Sequence, residues 1–280
     1  MDFKEYCKKT YKKLYKKSYS ESSIKNSETR ERFAQKRAIR DTMILAFKDY
    51  ADVDGADVRD CIYSAHINRK SGLKNPDPKL VASIVSADNS WKKSSGHAFE
   101  EMIVLHCNQV LKQHGIKIYL QKDLNELIKG NVLGNAARDI KWLKAQIKTS
   151  AFDMYITVFH DKKEVVYGCM QTKTSIRDRV TRDREPSIAA MNNFFWSAAV
   201  VLDGDFLKLP KFQHMVNGNS DEYPSNGWHG MYVFSKKYSK DRIYSVDVKL
   251  ITFIDHAKKA ADAWCQQRQW LEGTWRAENA

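Results

Sequence analysis

The chain of 280 residues is notable first for what it lacks. No run approaches the roughly 20 apolar residues that a membrane helix needs, so no membrane is expected. No apolar stretch follows the charged start MDFKEYCKK, so it does not read as a secretory signal. The cysteines Cys7, Cys61, Cys107, Cys169 and Cys265 lie far apart, with no CxxC pair. That pattern predicts reduced thiols in a cytosol, not a disulfide framework. There is no GxxxxGK[ST] phosphate loop, which argues against ATP-driven chemistry, and no internal repeat. Acidic residues are in deficit. Asp+Glu number 34 against 47 Lys+Arg, a formal charge of +13. Hydrophobic residues make up 42%, enough for a real core, so full disorder is excluded. The excess charge points to a polyanionic partner, most often nucleic acid, without saying what is done to it.

The surplus is uneven. Residues 1–50 carry 14 Lys/Arg and 7 Asp/Glu. Phe3, Cys7, Tyr11, Leu14 and Tyr15 recur at helical spacing, and the pairs Lys8–Lys9, Lys12–Lys13 and Lys16–Lys17 fall between them. Such a helix either packs through its aromatics as an ordinary surface element or also lies along phosphates. Further helices are predicted over 28–50 and 57–68. SGLKNPDPK, at Ser71–Lys79, combines a glycine with two prolines and marks a boundary. The expected organisation is an all-helical basic domain over 1–80 and a mixed α/β domain over 81–280.

In the second part, Ser94–Gly115 reads as a helix, capped by Ser94 or Ser95 and ended by Gly115. Strands are predicted at Ile116–Gln121, Ala151–Phe159 and Glu164–Lys173, the last two joined by a turn at Asp161-Lys162-Lys163. A helix is expected over Arg184–Val201, strands over Gly230–Lys236 and Arg242–Phe253, and a last helix over Asp255–Leu271.

The chemistry concentrates around the predicted hairpin. Asp153 sits in an otherwise apolar strand, where a carboxylate is costly without a partner. An antiparallel pair can bring it to the same sheet edge as Lys173. An acid that binds Mg²⁺ and a lysine that orients water or helps to deprotonate it suit phosphodiester hydrolysis. Gln171 stands two residues before the lysine, where a second acid is expected; it offers a carbonyl oxygen but no charge. The segment KTSIRDRVTRDREPS follows, with Arg177, Asp178, Arg179 and Arg182. An arginine can pair with guanine O6 and N7, and an aspartate can accept from cytosine N4. The segment is therefore either a reader of G·C pairs or a solvated basic loop with internal ion pairs. Glu185, twelve residues after Lys173, could supply the missing carboxylate.

Asp-x19-Lys, then Thr-x-Ile-Arg-Asp-Arg, then a helix-borne glutamate, resembles the type II restriction endonucleases that recognise a CCGG core, within the PD-(D/E)XK superfamily. SWKKSSGHAFE, at Ser90–Glu100, and HGI, at His114–Ile116, are similar to stretches of the branch typified by the BsaWI and AgeI enzymes. The resemblance is specific over about residues 88–200 and architectural elsewhere. It implies a mixed sheet flanked by helices behind a helical N-terminal domain. It implies Asp153 as the metal-binding acid on the strand, Lys173 as the catalytic lysine and Glu185 as a displaced, metal-binding acid. Glu100 would assist the site, with Glu101 beside it as the alternative. Arg177, Asp178 and Arg179 would read the bases, with Arg182 also at the DNA. The activity implied is Mg²⁺-dependent cleavage of both strands of double-stranded DNA at a CCGG palindrome flanked by A/T, before the first C. A homodimer, with higher-order assembly on DNA as a further option, would match the palindrome. The pattern departs from the group's name at Phe152, where a proline would precede the acid; the Pro76-Asp77 pair lies in the linker and reads as a decoy. Two other functions stay open at this point. One is a nuclease of the same superfamily in repair or recombination; the other is a DNA-binding protein without catalysis.

Weaker signals have simpler explanations. Asp52-Val-Asp54-Gly55-Ala-Asp57 hints at a calcium loop but reads better as a turn and helix cap. His97, His106, Cys107 and Cys169 lack zinc spacing. His160 reads as a turn residue. Trp228-His229-Gly230 approaches DNA or is a buried tryptophan beside a turn glycine.

Overall fold

A computed structural model describes residues 2–50, 52–72, 78–174, 180–237 and 239–280. The chain divides into two compact units, 1–102 and 103–280. The sequence places the division at residue 80 instead. The helix that spans the division explains the difference. It runs Pro78–Leu111 and not from Ser94, because nothing between Lys79 and Trp91 breaks a helix once Pro78 has opened it.

In the first unit, α1 (Phe3–Ser20), α2 (Ser27–Asp49), α3 (Gly55–Ser71) and the N-terminal part of α4 (Pro78–Leu111) pack together. Cys7 and Tyr11 of α1 are buried, and Lys4, Lys8, Lys9, Lys12, Lys13, Lys16 and Lys17 are exposed. The aromatic stripe therefore packs inward and the lysines face water, as the spacing predicts. Asn26 caps α2 by accepting from Thr29 N, and Asp54 caps α3 by accepting from Ala56 N, so Asp54 serves as a cap and not in a calcium loop. Buried His66 bridges Tyr11 Oη and Ala87 O.

The second unit is a mixed six-stranded sheet in the order β1 (Ile116–Leu120), β2 (Met154–His160), β3 (Lys163–Lys173), β4 (Trp196–Val201), β5 (Gly230–Val233) and β6 (Ile243–Ser245). The first three strands pair antiparallel, and β3 to β6 run parallel. The β2–β3 turn uses Asp161 and Lys162 at φ 47° and 64°, the positive values a two-residue hairpin turn needs. Three helices escape the sequence reading: α5 (Gln121–Lys129), α6 (Ala137–Thr149) and, after α7 (Val180–Asn192), α8 (Pro210–Asn217). Leu124 and Ile128 of α5 and Leu143 of α6 join Phe152, Tyr155, Val166 and Cys169 in one core cluster. A second cluster lies around Val180, Ala199, Met215, Trp228 and Met231. On the opposite face, Trp196 and Tyr232 meet Phe253 of α9 (Ile251–Gln267).

Two expected elements change type. The helix over Arg184–Val201 stops at Asn192, Phe194 turns to φ 60°, and the apolar WSAAVV run becomes the fully buried strand β4. A continuous apolar run of that length cannot be told from a helix by periodicity alone. The strand over Arg242–Phe253 ends at Ser245, and Ile251–Phe253 opens α9.

Candidate active site

Asp153 lies one residue before β2, and its backbone continues the ladder through Asp153 N to Met170 O at 3.1 Å. The register Met154↔Met170 then sets it opposite Gln171, with Lys173 two residues further along β3. Thr172 N donates to Asp153 Oδ2 at 2.7 Å, and Thr172 Oγ1 lies 3.4 Å from the same oxygen. Those bonds hold one carboxylate oxygen and leave Oδ1 outside them. Lys173 Nζ stands 3.5 Å from Asp153 Oδ2 and 3.5 Å from Asp183 Oδ2. The three side chains keep 24%, 26% and 18% of their surface exposed, in the order Lys173, Asp153, Asp183. Such partial burial strengthens their mutual attraction while leaving the group reachable.

Asp183 sits in the first turn of α7, where the helix dipole favours a negative charge. The sequence does not point to it, because the pattern predicts a helix start at Arg184; starting at Val180 brings Asp183 over the end of β3. Glu185, two residues on, is exposed, as is Arg182. Glu100 belongs to the first unit, where His97 Nδ1 lies 3.3 Å from its Oε2 and has its pKa raised by that contact. Glu101 is paired there with Lys36 and Arg40. Arg177, Asp178 and Arg179, together with Pro76 and Asp77, lie outside the described residues.

The tryptophan and histidine before β5 are both buried. Trp228 Nε1 donates to Gln171 Oε1 at 2.8 Å. His229 Nδ1 accepts from Ser197 N at 2.9 Å, which leaves Nε2 as the donor to Glu272 O at 2.8 Å. Burial pushes the His229 pKa down to about 3. The signal left undecided in the sequence thus resolves to interior roles. His160 stands 3.3 Å from its neighbour Asp161 at the hairpin turn.

Asp153 and Asp183 each stand 3.5 Å from Lys173 Nζ and offer hard carboxylate oxygens, a donor type that fits Mg²⁺ better than zinc. Among the described residues no cluster of three or more metal-binding side chains occurs. Two carboxylates completed by water and substrate phosphate is a usual arrangement for Mg²⁺.

Comparison with known proteins decides the function. Residues 136–270 match the family model described as BsaWI restriction endonuclease type 2. The crystal structure of the pre-specific BsaWI–DNA complex aligns over 100% of both chains, at 51% identity and a TM-score of 0.71. The chain belongs to that family. It is a type II restriction endonuclease, a site-specific DNA nuclease, and membership removes the repair and non-catalytic alternatives. The crystal structure of the specific AgeI–DNA complex shares the fold, covering 91% of both chains at 16% identity and a TM-score of 0.60. No curated protein matches the chain. A restriction endonuclease of this kind uses a divalent metal, and DNA is its partner. No described helix is long and apolar enough to cross a membrane.

Proposed function

We propose that this endonuclease cleaves both strands of DNA at a palindrome built on CCGG, flanked by A/T and cut before the first C, with Mg²⁺ as its metal. The observation that carries the chemistry is the meeting of two carboxylates on one ammonium, Asp153 and Asp183 each 3.5 Å from Lys173 Nζ. We assign the metal-binding acids to Asp153 and Asp183. The assignment to Asp183 rests on its contact with Lys173, against the exposed position of Glu185. Mg²⁺, when bound, supplies positive charge to the scissile phosphate. The chain's own part is to hold the reactants. Asp153, fixed through Thr172, presents its free oxygen; Lys173 orients the attacking water and offsets charge building on the phosphate.

The Arg177-Asp178-Arg179 element would read the G·C pairs, with Arg182 supporting it on the exposed first turn of α7. The lysine face of α1 would contact phosphates without reading sequence. A two-fold homodimer would match the palindrome, with further assembly on DNA, in the cytoplasm of a bacterium that methylates its own sites.

The test is Lys173→Ala. Cleavage of a plasmid bearing the site should fall by at least about 10²-fold, while gel-shift affinity for the same duplex without metal is retained. Wild-type cleavage by the variant would remove Lys173 from the mechanism.

A further inference from the structure

Gln171 occupies the strand position where a second acid would ordinarily stand, yet its side chain is spent on the protein itself. It is 2% exposed. Its Nε2 donates to Ala151 O at 3.1 Å and to Asp183 O at 2.9 Å, and its Oε1 accepts from Trp228 Nε1 at 2.8 Å. An indole N–H is a donor only, so Trp228 fixes which end of the amide carries the oxygen. Both amide hydrogens then point at backbone carbonyls. One carbonyl lies two residues before Asp153; the other belongs to Asp183 itself. A single planar amide therefore ties the chain entering one acid to the helix turn carrying the other.

The far side of that turn is held as well. Arg184, next to Asp183, donates from Nε to Met215 O at 3.1 Å and from Nη2 to Ser225 O at 2.6 Å. Its guanidinium lies 5.2 Å from the centre of the Tyr223 ring. Trp228 closes the same segment and is 1% exposed. Between them, a Cβ on Gly227 would stand 2.5 Å from Met215 O and 3.0 Å from Arg184 Cγ, so the close approach needs glycine.

We propose that Gln171, locked by Trp228, is a positioning residue for cleavage: it sets the separation of the Asp153 and Asp183 carboxylates and does not itself ligate metal. The inference rests on reading Asp153, Lys173 and Asp183 as the catalytic group. A satisfied core amide of no catalytic consequence is the competing account, and the two differ in what happens to the Mg²⁺ dependence.

The experiment measures single-turnover cleavage of a duplex bearing the site against Mg²⁺ concentration, with metal-free DNA affinity and thermal melting alongside. Gln171→Met keeps the length and removes all three bonds. It should raise the Mg²⁺ concentration for half-maximal rate by about tenfold or more and lower the maximal rate by about 10- to 100-fold. DNA affinity without metal should stay within about twofold, a change too small to register as a lost contact. Trp228→Phe keeps an aromatic ring, though a smaller one, and removes the N–H. It should shift the Mg²⁺ dependence the same way by less, and the double variant should match Gln171→Met, since both act through one amide. If Gln171→Met does not fold, Trp228→Phe alone decides by the same Mg²⁺ shift. Gln171→Glu should not rescue, because its carboxylate would face two carbonyl oxygens. A wild-type Mg²⁺ dependence in a folded Gln171→Met or Trp228→Phe protein overturns the proposal. So does tighter Mg²⁺ use by Gln171→Glu, which would make the position a ligand. Asp153→Asn and Asp183→Asn, measured in parallel, separate the two levels. If either cuts normally, the site assignment has failed; if both are inactive while Gln171→Met is normal, only the positioning role has failed.

Discussion

Replacing Asp183 with asparagine, beside Glu185→Gln as its partner variant, puts the second acid to the test. Asp183 Oδ2 lies 3.5 Å from Lys173 Nζ. At that distance and an effective dielectric near 20, a unit charge beside a cationic centre is worth about 5 kcal/mol. The side chain keeps 18% of its surface exposed, and the asparagine carbonyl returns part of the interaction as a dipole. About 3 kcal/mol of interaction then remains to be lost; on the reading that this charge serves the transition state, the loss is about 10²-fold in rate. Glu185 is exposed on the next part of the helix, so Glu185→Gln should change the rate by less than about threefold, under 1 kcal/mol. The assay is single-turnover cleavage with enzyme in excess, so that product release does not mask the chemical step, and melting curves verify that both variants fold. The reverse ranking, with Asp183→Asn at the wild-type rate and Glu185→Gln inactive, refutes the assignment of Asp183 and returns the role to Glu185.

Two further outcomes follow from charge and burial. His66 and His229 are held neutral by burial, with pKa values pushed down to about 4 and about 3. Below pH ~6.5 the unfolded chain takes up protons at both while the folded chain does not, so stability falls as pH drops through that window and is level above it. At pH 5 each histidine should cost about 2 kcal/mol. An unchanged melting temperature between pH 7 and pH 5 would contradict this. In the first unit, changing Lys8, Lys12 and Lys16 together to glutamine should weaken metal-free DNA binding and reduce the slope of log K against log salt by up to about 3, without altering which sequence is cut. An unchanged slope would take that face of α1 off the DNA.

The hairpin that carries the candidate site is legible in the sequence because its signal is local. Two β-rich runs with a turn between them predict the pairing of β2 with β3, and the pairing carries Asp153 to Lys173. The second acid of the candidate site is harder to see. Choosing Asp183 or Glu185 depends on where α7 starts, and the Arg/Asp-rich run gives no apolar periodicity to locate that start. WSAAVV reads as helix in the sequence because a strand buried on both faces shows no alternation. The N-terminal helices were readable from apolar spacing, but the division of the chain was not, since Pro78 starts α4 where the prolines suggested a domain end. The Gln171–Trp228 contact joins residues 57 apart in sequence, and no periodicity or motif announces it. The formal charge of +13 divides in two: seven exposed lysines on α1 form the face proposed to contact phosphates, and the acids among the basic residues of the second unit form the candidate site.

The most direct measurement is a Mg²⁺-dependent digest of a fully sequenced plasmid, with every fragment end read. A discrete set of double-strand breaks is expected, all before the first C of CCGG with A/T on both sides, none without the metal, and at least about 10²-fold fewer from Lys173→Ala in the same time. Cuts at unrelated sequences would contradict the CCGG reading. Undiminished cutting by Lys173→Ala would contradict the active site.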